Sequence, residues 1–417
     1  MSLPKMVRVK QLFPRAFFDD VREAVQSELV SIGVESIIKS GDTVAVGAGS
    51  RGVANIAATI KAIVEFLKDL GARPFIFPAM GSHGGATPEG QTEVLHHYGI
   101  SEQTMGVPIK STMDTKIMGE TADGLPVFLD QHAADADHVV PVNRVKSHTD
   151  FNGSIESGIM KMLAIGVGKQ RGANMYHRAF FSYGFEHVIR TSAALLIDSG
   201  KVPFGFALVE NAYGETALAK AIPATDILST EQKLLAHSKE ISAKLPFDTL
   251  DLLIVDWMGK NISGTGMDTN VIGRYMQNFE PEPEKPSYLR ILVCDLTGES
   301  AGNATGIGLA DFTTKRLVDK FDKEATYMNC ITSLGPQKSR IPFHFDTDRE
   351  AITVALDTIG LRPPEDARIV RIESTLKLSQ IHISESLLES AQLMSSLEIL
   401  SEPEPLDFDS NGNLSPF

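Results

Sequence analysis

The chain has 417 residues, a formal charge of −14, 42% hydrophobic and 22% charged residues. At roughly 150 residues per domain this is room for two domains with large cores, and the composition excludes a disordered or fibrous chain and weighs against broad nucleic-acid binding. Only two cysteines occur, Cys294 and Cys330, outside any CxxC or Cys/His cluster, so neither a disulfide scaffold nor a thiolate zinc site is supported, and a reducing cytoplasm fits.

The first residues, MSLPKMVRVKQLFPRAFF, carry charges too early for a secretory apolar core, and no run of about 18 apolar residues follows. The expectation is a cytoplasmic protein, neither exported nor membrane-bound. Thr43 to Val46 predict a strand entering the turn GAGSRG. Val53, Ile56, Ala57, Ile60, Ile63, Val64 and Leu67 then recur at helical spacing up to Gly71, and Pro74 to Phe77 begin another strand. This β-α-β pattern implies a parallel sheet in an α/β domain. Strands are expected at 126–130 and 138–145, and a helix at 186–198. A polar helical stretch at 229–244 leads to Pro246, and the boundary is placed near 248. Domain one is thus 1–248.

Beyond it, DTLDLLIVDWMG and LRILVCDL read as buried strands, LADFTTKRLVDKF and Asp348 to Ile359 as helices, and DARIVRIES as a further strand, giving a second α/β domain over 249–400. Residues 401–417 read as an irregular acidic tail. The single tryptophan, Trp257, ends an apolar strand and reads as core. The loop Gly302 to Gly308 is expected to run into a helix near Leu309 whose N–H groups could face an anion, or to be purely structural.

The turn Gly47-Ala48-Gly49-Ser50-Arg51-Gly52 fits GxGxxG between strand and helix, a phosphate cradle or a plain tight turn. A dinucleotide also needs an acidic residue at the end of the next strand, and that strand runs into Pro78-Ala79-Met80. Three further segments look like site loops: GSHGGAT with His83, NRVKSHTD with His148, and residues 153–177 with Lys161, Lys169, Arg171 and His177. Residues 141–171 hold five basic against two acidic residues, a basic island in an acidic chain. It suits a phosphorylated cofactor or a carboxylate, or is a solvated face. Lys161 lies among Ile159, Met160, Met162 and Leu163, the setting either of an amine with a lowered pKa or of a snorkelling lysine. The remaining histidines lack glycine-loop contexts.

Taken together, GAGSRG, GSHGGATPEG, NRVKSHTDFNGSIESGIMKML and GVGKQRGANMYH resemble the lactate racemase family, which uses a nickel-pincer nucleotide, with this chain a divergent homologue. The resemblance implies two α/β domains with an active-site cleft between them. It also implies a pyridinium-3,5-bisthiocarboxylate mononucleotide tethered to Lys161, with nickel ligated by His177 sixteen residues later. His83 and His148 would be the acid/base pair, while Gly49, Ser50 and Arg51 would form the cofactor- and substrate-binding turn, Arg51 orienting a carboxylate. The implied activity is racemisation or epimerisation at C2 of a 2-hydroxy acid by proton-coupled hydride transfer, with cofactor-synthesis proteins as accessory partners.

The chain departs from the family pattern at several points. Ala48 stands where the family often has Asp, and the interval from His148 to Lys161 is slightly long, so Lys169 stays as a second candidate tether. In the second domain Lys260, Asn270 or Arg274 would face the substrate, which argues for a 2-hydroxy acid other than lactate. A nicotinamide-dependent oxidoreductase and a non-catalytic two-domain carboxylate- or phosphate-binding protein are the alternatives.

Overall fold

The computed structural model describes residues 3–50, 52–278 and 280–417. The chain forms two compact units. Strand β1 (Lys5–Gln11) belongs with Thr149–Phe151 and Ala243–Phe417 in the C-terminal unit, while Pro14–His148 and Asn152–Ser242 form the N-terminal unit.

The N-terminal unit is built on β2 (Thr43–Ala48), β3 (Arg73–Pro78), the hairpin β4 (Thr115–Glu120) and β5 (Pro126–Asp130), β6 (His138–Arg144), β7 (Phe204–Glu210) and β8 (Thr216–Pro223). Its main sheet has the order β3-β2-β6-β7-β8, with β3, β2, β6 and β7 parallel and β8 antiparallel. Chain order reverses between β2 and β6, and in such sheets ligands collect outside the carboxyl ends of the strands at that switch point. The helix Ile56–Asp69 buries Ile56, Ile60, Ile63, Val64 and Leu67, the three- and four-residue spacing of one helical face. These side chains pack on Val44, Val46, Val140, Val142, Phe206 and Leu208 from the sheet.

The C-terminal unit holds β9 (Thr249–Met258), β10 (Ser287–Leu296), β11 (Phe312–Thr314), β12 (Phe343–Phe345), β13 (Ile369–Ile372), β14 (Gln380–Ser384), β15 (Leu397–Ile399) and β16 (Glu404–Pro405). Its sheet runs β12-β11-β10-β9-β13-β14-β1-β15, with β16 also on β1. Leu253, Val255, Ile291 and Val293 point to one core and Leu252, Ile254, Leu292 and Cys294 to the other. A strand buried on both faces explains the unbroken apolar runs of β9 and β10.

Three expectations are corrected here. Residues 312–314 form a strand, not part of a helix. The Thr313 and Thr314 hydroxyls donate to the carbonyls of Val293 and Cys294 at 2.8 and 2.6 Å, and these β-branched residues extend the parallel sheet. Residues 307–309 make a single 3-10 turn before that strand, so no helix N-terminus faces an anion there. Trp257 is 38% exposed, with the Lys320 amine 5.4 Å from its ring centroid. No helix of the described residues is long and apolar enough to cross a membrane.

Candidate functional site

The glycine turn leaves β2 at its carboxyl end. A Cβ on Gly49 would come within 3.4 Å of the Met162 methyl and 3.5 Å of Asn143 Oδ1, so the end of β2, the end of β6 and the residue after Lys161 share one place. Ser50 hydrogen-bonds His83 Nδ1 through its hydroxyl, and its carbonyl accepts from the Tyr98 hydroxyl at 3.0 Å. Glu210, at the end of β7, accepts from the Ala54 N–H at 2.6 Å and pairs with Arg144. Arg51 lies outside the described residues.

His83 follows β3 and is exposed. Its loop is held from below. The fully buried Gln91, in the helix Pro88–His97, donates through Nε2 to the carbonyls of Gly81 at 2.9 Å and His83 at 3.2 Å. Gln91 Oε1 accepts at 3.0 Å from Lys169, whose amine also donates to the Pro78 carbonyl at 2.5 Å and lies 3.1 Å from Asp130. Lys169 and Asp130 are both 0% exposed. Burial pushes Asp130 up from the usual carboxylate range and Lys169 down from the usual amine range, each opposed by its partner. Lys169 is thus committed to joining β3, β5 and the helix behind His83. With Arg144 on Glu210, two of the five cations in the basic island serve internal carboxylates.

His148 follows β6 and is half-buried. Its N–H donates at 2.7 Å to Glu156, a carboxylate only 1% exposed that also accepts from the Gly153 N–H at 2.9 Å and pairs with Lys239. Beyond this loop Glu186 accepts from the Ser154 N–H and hydroxyl. Burial opposes ionisation there, yet the hydrogen bonds from Ser154 hold Glu186 below the usual range.

Lys161, half-buried, ends the short helix Gly158–Lys161 and is followed by a π-helical turn, Met162–Gly166. Such turns insert a residue into a helix and recur at functional sites. The Gly81 N–H donates to the Gly166 carbonyl at 3.0 Å, which stitches the His83 loop to the segment carrying Lys161. His177, half-buried, lies in the helix Lys169–Tyr183. A run of rings links it to His148: His177 to Phe180 at 5.7 Å between centroids, Phe180 to Phe185 at 4.3 Å, and Phe185 to His148 at 6.4 Å. Among the described residues no three His, Cys, Asp or Glu side chains are grouped to hold a metal ion.

Sequence reasoning missed Gln91, Asp130, Glu156 and Glu231. Glu231 is fully buried, and burial lifts its carboxyl to about 8 although the N–H groups of Met160 and Ile159 favour its ionised form. Its signal was available: in the helix Ile227–Ile241 it stands on the buried stripe of Ile227, Leu234, Leu235 and Ser238. In the C-terminal unit, Lys260 donates to the Gly264 carbonyl and Asn329, Asn270 to Asp268, and Arg274 to the Leu309 carbonyl while pairing with Asp311.

Residues 15–186 match the lactate racemase N-terminal domain family. No curated protein matches the chain. Among solved structures, the lactate racemase apoprotein from Thermoanaerobacterium thermosaccharolyticum is similar in fold at 12% identity and a TM-score of 0.53, over 87% of this chain and 93% of that one. A structural-genomics protein from Thermotoga maritima gives 13% identity and a TM-score of 0.55, over 87% and 99%.

Proposed function

From the premise that this chain is lactate racemase-like, through a segment that matches the N-terminal domain of that family, we propose that it is a racemase or epimerase acting at C2 of a 2-hydroxy acid. The supporting observation is local. Ser50 follows β2, His83 follows β3 and the Val145-to-His148 loop follows β6 at the carboxyl edge of one parallel sheet; Met162, next to Lys161, reaches that edge beside Gly49, and a bond from Gly81 to Gly166 ties the His83 loop to the Lys161 segment.

The residues fit a nickel-pincer mononucleotide. Gly49 leaves a backbone approach that a side chain would narrow against Met162 and Asn143, Lys161 is a half-buried amine, and His177 offers an imidazole beside Phe180. Lys161 would hold the cofactor covalently and His177 would ligate its nickel, the other donors being the cofactor's own. Lys169 is set aside as the tether because its amine is spent on Pro78, Gln91 and Asp130. When bound, the group supplies a reversible hydride acceptor.

The chain's own residues move the proton. Ser50 holds His83 at Nδ1, so exchange with the substrate's 2-hydroxyl is the task of Nε2. His148, steadied through its N–H by Glu156, serves the opposite face. An imidazole on each face can act as base in one direction and acid in the other, and Arg51 would orient the carboxylate. The acid differs from lactate in this reading, and cofactor-synthesis proteins are its accessory partners.

The test is co-expression with those proteins, followed by intact mass, nickel content and a panel of 2-hydroxy acids in deuterated water. A stable adduct on Lys161, stoichiometric nickel and inversion with little deuterium at C2 are expected. His177→Ala should lose nickel, whereas His83→Ala and His148→Ala should keep nickel and lose interconversion. Absence of both adduct and nickel, or rapid deuterium entry at C2, would overturn the proposal.

A further inference from the structure

Glu231 and Gly158 belong to segments far apart in sequence and fit each other closely. Glu231 Oε2 accepts from the backbone N–H of Ile159 at 2.6 Å and of Met160 at 3.2 Å. Its Oε1 is buried with no hydrogen-bond partner among the described residues. Gly158 has φ +84°, and a Cβ there would lie 2.6 Å from the Glu231 carboxyl, so only glycine leaves the carboxyl its place. The turn that these contacts secure, Gly158–Lys161, ends on Lys161 itself.

An ordinary cap would have sufficed to hold a short helix. Ser157 occupies the N-cap position but makes no side-chain cap. Its hydroxyl accepts from the Lys146 N–H at 2.7 Å and donates to the Lys146 carbonyl at 2.5 Å. The free N–H groups are met instead by a carboxyl from another helix, at the cost of burying it. Burial lifts that carboxyl to about 8, so near neutrality it holds the turn mainly as a neutral acid.

We propose that Glu231 is a positioning residue for Lys161: it clamps the N–H groups of Ile159 and Met160 in the turn and so fixes the backbone from which the Lys161 amine is presented. The inference rests on reading Lys161 as the cofactor's attachment point. It also makes Gly158 and Glu231 a matched pair, in which the glycine exists to admit the acid.

The experiment uses the full-length protein with Glu231→Gln, Glu231→Asp and Glu231→Ala. Gln is isosteric with the neutral acid and keeps the accepting oxygen, whereas Asp draws it back by one methylene. Three quantities are read: amide exchange at Ile159 and Met160, acetylation of Lys161 by an amine-selective ester relative to exposed Lys233 on the same helix as Glu231, and Lys161 adduct yield after co-expression. Exchange and relative acetylation should each rise at least about fivefold in the Ala and Asp variants, the factor expected for one lost hydrogen bond, and adduct yield should fall. The Gln variant should stay near wild type in all three. Ala and Asp variants with unchanged exchange and acetylation would overturn the proposal, as would a folded Gln variant that behaves like Ala. If the wild type itself forms no adduct, the functional reading fails while the first two measurements still decide the role of Glu231.

Discussion

Lys169 shows how far a single side chain can be occupied by structure. Its backbone has φ +54°, a left-handed conformation rare for a side-chain-bearing residue, and its amine serves Pro78, Gln91 and Asp130 with no exposed surface. Lys169→Met would leave Asp130 buried without its countercharge and Gln91 without its donor. Breaking such a pair from one side costs about 3–5 kcal/mol, so urea unfolding should show a loss of that order, partly recovered when Asp130→Leu is added. An unchanged midpoint in the single variant would mean the pair is not holding the β3 end. Glu231 makes a prediction of opposite kind, since its folded carboxyl titrates at about 8 against 4.5 for the ordinary group. The folded state holds this proton more tightly than the unfolded one, so its stabilising contribution is complete below about pH 4.5 and declines as pH rises to about 8, then stays flat. The difference in unfolding free energy between wild type and Glu231→Gln should therefore fall across that window by a few kcal/mol. A difference constant from pH 5 to 8 would show that Glu231 is ionised in the fold.

At the scale of elements, what the sequence reveals depends on whether a residue's neighbours are local. The strand–turn–helix from Thr43 to Asp69 and the runs of β9 and β10 are legible because burial of a whole face imposes a period on consecutive residues. Phe312 to Thr314 are too few to show a period, and their strand exists because β10 and β12 lie on either side of them. Glu156 and Glu231 were lost for a related reason: a carboxylate in a polar stretch reads as solvated, and only the buried stripe of Ile227, Leu234 and Leu235 betrays Glu231, while Asp130 closes an apolar strand whose sequence does not show its distant partner Lys169. Histidines after strand ends were visible, but the Gln91 that carries the His83 loop was not, since glutamine in a helix announces nothing. The π-helical turn Met162–Gly166 has the same dependence on a distant element. A Cβ on Gly166 would meet the Ala79 carbonyl at 2.5 Å, and the Gly166 carbonyl accepts from Gly81. Gly166→Ala should therefore part the Lys161 segment from the His83 loop at about 1–3 kcal/mol, the usual cost of overpacking. Hydrogen exchange at Gly81 should accelerate while that of β7 stays as it was; an unchanged Gly81 amide would count against the stitch.

At the scale of the molecule, the first strand is the one most remote from its partners in sequence. β1 lies between β14 and β15 and also pairs with β16, all antiparallel, and it contributes Val7 and Val9 to one core of the C-terminal unit and Met6 to the other. No local pattern in residues 5–11 announces partners that follow residue 379. Each of these three side chains is worth about 1.5–3 kcal/mol when buried, and the strand's backbone groups satisfy edges of β14 and β15 that would otherwise stand open. Deleting residues 1–12 should thus remove several kcal/mol, comparable with the 5–15 kcal/mol that holds an ordinary domain together. The loss should fall on the unit to which β1 belongs rather than on the one that follows it in the chain. Hydrogen exchange read by peptide should show β9, β13 and β14 losing protection, while β2, β3 and β6, whose core lies wholly within the N-terminal unit, keep theirs. Loss of protection in β2 and β3 equal to that in β13 would mean that the two cores do not stand separately and that the first strand supports the whole chain.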